Sequence, residues 1–146
     1  MNADNRQDII DTLHREGCSC VIAKGDSVTR SHRRGVADLL HLLKTSPDTL
    51  SDSFIADKVV GKGAAALMAL GGVGEVYADV ISRPALALLG ESGIHVSYGE
   101  PVEHIINRSG TGVCPVETLC QECATPQECL PLIEQFVERM QKQQNN

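Results

Sequence analysis

Apolar residues recur along this chain in two rhythms, one of helical period and one of strand period, and the rhythms alternate. In NRQDIIDTLHRE, residues 5–16, Ile9, Ile10 and Leu13 fall at helical spacing, and Gly17 stands behind them as a stop. CSCVIAKGDSVTRS, residues 18–31, reads as two short strands joined at Gly25-Asp26, a pair suited to a tight hairpin. GVADLLHLLKT returns to the helical period and ends near Thr45, after which SPDTLSDS reads as a loop. DSFIADKVV then predicts a strand, GKGAAALMALGG a small-faced helix, and EVYADVIS another strand.

Pro84 opens the next helix, where a missing N–H costs nothing and a fixed φ is already helical. Gly90 and Gly93 close that helix, and residues 94–98, IHVSY, read as a strand. After Tyr98 the regularity lapses into a structured loop, PVEHIINRSGTGVCPVETL, that leads to a short helix. TPQECLPLIEQFVERMQKQ carries a helical stripe at 130, 132, 133, 136, 137 and 140, with Pro131 implying that only the first turn precedes it. The final QKQQNN is expected to fray. Alternating strands and helices predict an α/β layer with neighbouring parallel strands.

Composition narrows the function classes. With 146 residues, 42% of them hydrophobic, the chain suits one domain, with an ordered core expected over about residues 8–140. No apolar run is long enough for a membrane span, and the start, MNADNRQDII, is polar and acidic, which predicts a cytoplasmic protein. A formal charge of -6, two Phe, two Tyr and no Trp argue against nucleic acid, which needs cationic faces and stacking rings. The six cysteines, 18, 20, 114, 120, 123 and 129, read as reduced thiols. Only 120 and 123 have the x₂ spacing common in metal sites, and small buried packing is the ordinary role of cysteine. No metal or cofactor is expected.

The order of elements resembles that of the cytidine deaminase-like fold, apart from an added short helix at 36–45. Zinc deaminases carry H-x-E at one helix start and P-C-x-x-C at the next. VYADVISRPALALLGESGIHVSYGE looks like the second segment, with Pro84 in the proline position and Ala85 and Leu88 where the cysteines belong. FIADKVVGKGAAALMALGG resembles the first, with Asp57 or Lys58 near the place of the histidine and no H-x-E. Ala and Leu cannot ligate zinc. Segments such as ADKVVGKGAA, VYADVISRPAL and INRSGTGVCPVE are similar to a group of uncharacterised bacterial proteins that keep this fold without its zinc residues. The resemblance implies a three-layer α/β/α sandwich on a mixed sheet. It implies no activity.

In such a fold the pocket lies where the two helices begin, so Asp57, Lys58, Lys62 and Ser82 with Arg83 are expected to face it. Helix N-termini favour anions, and Lys58 and Lys62 add charge for a small anionic or nucleotide-like ligand. The alternative is a close-packed helix with solvated lysines. Asn107, Arg108, Ser109 and Thr111 supply donors on a glycine-bearing loop, and Cys114 next to Pro115 at a helix start is a candidate nucleophile. Its alternative is a glycine turn with a small capping cysteine; a structural or regulatory subunit is the third reading. Arg30, His32, Arg33 and Arg34 form a local basic cluster, and His14 and His41 read as structural. The alanine-rich face of 64–69 would admit a close neighbour, so a homodimer is expected.

Overall fold

The computed structural model describes residues 3–33, 36–107 and 109–144. Seven helices and five strands follow one another among these residues: α1 (Ala3–Arg15), β1 (Cys20–Lys24), β2 (Ser27–Ser31), α2 (Ala37–Thr45), α3 (Pro47–Leu50), β3 (Phe54–Val60), α4 (Lys62–Leu70), β4 (Glu75–Ser82), α5 (Arg83–Glu91), β5 (His95–Val102), α6 (Pro115–Cys120) and α7 (Pro126–Gln144). The strands form one mixed sheet in the order β2-β1-β3-β4-β5. β1 runs antiparallel to both β2 and β3, whereas β3, β4 and β5 are parallel, joined by the crossover helices α4 and α5.

Helices cover the sheet from both sides, giving a three-layer α/β/α sandwich. On one face α1 buries Ile9 and Leu13 against Val21, Ala23, Phe54 and Ala56. On the other, Leu39, Leu50, Ile55, Val76, Ile81, Leu89 and Ile133 join α2 to α7 and the sheet in one continuous core. α4 lies inside that layer, packed on α5, α6 and α7. Its residues Gly63 to Met68 are all buried within the chain, so the alanine-rich face expected to meet a neighbour is intrachain core.

Three local expectations change. Residues 47–50 of the expected loop form the short helix α3, because Pro47 fixes φ at its start and buried Leu50 anchors its end. β5 continues past Tyr98 to Val102: the parallel ladder with β4 carries it on, and Gly99 is required because a Cβ there would stand 2.8 Å from the Asp79 carbonyl oxygen. Pro101 is tolerated because β5 is an edge strand. α7 reaches Gln144, into the stretch expected to fray; residues 145 and 146 lie outside those described. Among the described residues no helix is long and apolar enough to cross a membrane.

Candidate functional site

The parallel strands β3 and β4 end where α4 and α5 begin, and the sequence assigns the ligand to these two helix starts. An α-helix exposes N–H groups in its first turn that need acceptors. At α5 the fully buried Ser82 supplies one locally, its hydroxyl oxygen accepting the Ala85 N–H at 3.2 Å, with Pro84 in the first turn. At α4 the cap residue is Gly61, which has no side chain to offer.

The acceptor comes from far along the chain. Glu117, on α6 and only 4% exposed, takes the Lys62 N–H on Oε2 at 2.6 Å and the Ile105 N–H on Oε1 at 3.2 Å. A buried carboxylate with both oxygens engaged is a strong, charge-assisted cap, and it carries the sign that a helix N-terminus favours. The glycines on either side of Lys62 follow from the same contact. A Cβ on Gly61 would lie 2.9 Å from Glu117 Oε2, and one on Gly63 only 2.3 Å from Val116 Cγ1. Lys62 itself reaches the other way, its Nζ donating to the carbonyls of Cys123 at 2.6 Å and Gln121 at 3.3 Å. The segment from Ile105 to Cys123 is thereby latched across the start of α4.

The remaining sequence-predicted residues are dispersed. Asp57 and Lys58 are consecutive in β3 and so face opposite sides of the sheet. Lys58 is exposed; Asp57 is half-buried opposite Cys20, with the Val59 N–H donating to it at 3.2 Å. Burial pushes the Asp57 carboxyl up to about 7, with Asp79 adding to the rise and the Val59 and Lys58 N–H groups opposing it. Burial likewise lifts the Cys20 thiol well above its ordinary range, helped by Asp57, Asp38 and Cys18. Asn107 and Thr111 spend their polar groups on their own turn: Asn107 Oδ1 accepts the Thr111 N–H at 3.0 Å and the Ser109 hydroxyl at 3.1 Å, and Asn107 Nδ2 donates to Thr111 Oγ1 at 3.2 Å. Arg108 and Arg34 lie outside the described residues. Cys114 caps α6, half-buried, and its N–H donates to the Ile105 carbonyl at 2.7 Å. Glu117, the carboxylate nearest it in sequence, is committed elsewhere.

The two described arginines of the basic cluster have acidic partners. Arg30 pairs with Glu16 at 2.8 Å, Arg33 with Asp38, and His32 Nε2 stands 3.6 Å from the Cys18 sulfur. His14 joins α1 to the sheet through Asp79 at 2.8 Å, which also accepts the Tyr77 hydroxyl at 2.7 Å; His41 is exposed on α2. Two of the open clefts among the described residues are these. One, of about 470 Å³, lies between the β1–β2 hairpin and α3, lined by Ile22, Lys24, Ser27, Thr29, Asp48 and Thr49. The other, about 440 Å³, runs between α6 and α7 past Leu119, Phe136 and Met140.

The residue that sequence reasoning passed over as a cap is Glu117. A helix start with glycine at its cap and no acidic residue in its first turn was the available signal that an acceptor had to arrive from elsewhere. Residues 8–137 match the model of the TM1506 family, described as a domain of unknown function (DUF1893). The chain is also similar to the crystal structure of a DUF1893 family protein, TM1506, from Thermotoga maritima, with a TM-score of 0.82, 27% identity, and 92% of this chain and 91% of that one covered. No curated protein matches.

Proposed function

The chain belongs to the DUF1893 family, and from that premise we propose that it is a non-catalytic binding or regulatory protein on a deaminase-like scaffold, its helix-start pocket closed from within. The deaminase-like reading is supported by the mixed sheet order and by paired crossover helices that start side by side at the ends of parallel strands. Where zinc ligands would be sought on α5, Ala85 and Leu88 are core residues. The observation that carries the reading is Glu117: a carboxylate of the chain itself occupies the anion position at the start of α4.

A second reading, a small anionic ligand that displaces Glu117, is favoured by the chemistry of that position, since the Lys62 N–H at a helix start and the Ile105 N–H beside it suit phosphate as well as carboxylate. Titration calorimetry with inorganic phosphate and a nucleoside 5′-monophosphate distinguishes the two. The self-capped protein takes up neither, whereas Glu117→Ala gains phosphate binding. Nucleotide uptake by the unmodified chain would replace the first reading with the second. Release of ammonia from cytidine or adenosine would overturn the non-catalytic assignment.

A further inference from the structure

α7 carries two stripes at helical spacing, and only one of them is spent on the core. Cys129, Ile133 and Val137, four residues apart, are buried inside the helical layer. Phe136, Arg139, Met140 and Gln143 repeat that spacing on a neighbouring face and line the cleft against α6. α6 divides in the same way: Val116, Glu117 and Cys120 are buried, while Pro115 and Leu119 form the opposite wall of the cleft. The opening is about 440 Å³, and Met140 keeps 42% of its surface exposed there. A face of α7 that met only water would carry polar side chains where Phe136 and Met140 stand.

Arg139 gives this apolar cleft a sign. Elsewhere among the described residues Arg6 faces Glu75, Arg15 and Arg30 face Glu16, Arg33 faces Asp38, and Arg83 faces Glu103. Arg139 is exposed and has no carboxylate partner among the described residues, in a chain whose 19 acidic side chains outnumber its 13 lysines and arginines. A guanidinium is a rigid fork that matches the two oxygens of a carboxylate. The size of the walls then selects among carboxylates. α6 has six residues, about 9 Å of helix, too short a wall to seat a partner helix about 10–12 Å across. A single extended hydrocarbon chain is thin enough to lie between the two walls.

We propose that the α6–α7 cleft binds medium-chain aliphatic carboxylates, the carboxylate paired with Arg139 and the tail laid against Pro115, Leu119, Phe136 and Met140. The α7 wall from Phe136 to Gln143 is about 10 Å long, the reach of an extended chain of about eight carbons. Met140, unbranched and polarisable, adapts to tails of slightly different length. The cleft lies on the far side of α6 from the Glu117 cap, so the proposal stands whether or not that cap opens.

Titration calorimetry on the full chain tests it, with hexanoate, octanoate and decanoate as monomers and 1-octanol as the uncharged counterpart. Octanoate is expected to bind at least about tenfold more tightly than 1-octanol, the share of the charge-assisted pair. Affinity is expected to rise about two- to fourfold for each methylene that reaches the cleft wall. Arg139→Gln, at an exposed and unpaired position, is expected to bring octanoate down to the level of 1-octanol and to leave 1-octanol unchanged. Octanoate that fails to bind at millimolar concentration, binds no better than 1-octanol, or keeps its affinity in Arg139→Gln would overturn the proposal. Sedimentation showing a dimer that Met140→Asp splits would also overturn it, because the cleft would then be closed by a second copy of the chain.

Discussion

Replacing Gly63 by alanine adds one methyl group at the contact between α4 and α6, and its cost can be worked from the geometry. The new Cβ would stand 2.3 Å from Val116 Cγ1, whereas carbon atoms pack at about 3.5–4.0 Å. The neighbours must therefore separate by more than an ångström. Val116 is buried, so the separation moves α6, and the adjacent Glu117 leaves its short bond to the Lys62 N–H. Overpacking of this kind costs about 1–3 kcal/mol, and a weakened helix cap adds about 1. Alanine returns less than about 1 kcal/mol through helix propensity. The expected net destabilisation is about 2–3 kcal/mol, a fall of about 1–2 M in the urea midpoint at a slope of about 1.5–2 kcal/mol/M. Val116→Ala removes the offending Cγ1 methyl group, so the double variant is expected to be more stable than the sum of the single effects by about 1–2 kcal/mol. A Gly63→Ala protein as stable as the parent, or a double variant that is merely additive, would refute the contact between α6 and α4 as the reason for glycine here.

Other outcomes follow from the site and its surroundings. Asp57 has a folded pKa raised from 3.8 to about 7, so the folded state binds more protons than the unfolded one between those values. Its contribution to stability is therefore greatest below pH 4, falls as pH rises to about 7, and stays as a penalty above that. Asp57→Asn is expected to gain stability relative to the parent at pH 8 and to lose that advantage at pH 4, with about 4 kcal/mol as an upper bound; equal effects of the substitution at both pH values in urea titrations would count against it. Iodoacetamide is expected to label the half-exposed Cys114 and Cys123 before buried Cys18, Cys20, Cys120 and Cys129, read by timed peptide mapping. Elemental analysis is expected to find well under one zinc per chain, since Ala85 and Leu88 offer no donor.

The alternation of strands and helices was legible because each element carries its own period: Ile9, Ile10 and Leu13 place α1, and Gly25-Asp26 places the β1–β2 turn without reference to anything distant. The misreadings arose where a distant partner decides. Pro101 and Gly99 look like breakers in isolation, yet β5 runs through both because β4 supplies the ladder. Lys62 between two glycines looks like an anion loop, yet both glycines answer to Val116 and Glu117, residues whose approach no local pattern announces. Asp57 and Lys58 were grouped by adjacency, which in a strand means opposite faces.

The cap on α4 also sets an order of events as the chain leaves the ribosome. Lys62 and Glu117 are 55 residues apart, so α4 and both its flanking strands emerge well before their acceptor exists. Until α6 follows, the first turn of α4 can satisfy its donors only with water, and the face that will meet Val116 stays wet. A nascent chain that ends before Pro115 can pair its sheet but cannot close its helical layer. Protease resistance of stalled chains is therefore expected to rise in two stages, first at the length that completes β5 and again at the length that frees α6 and α7 from the exit tunnel.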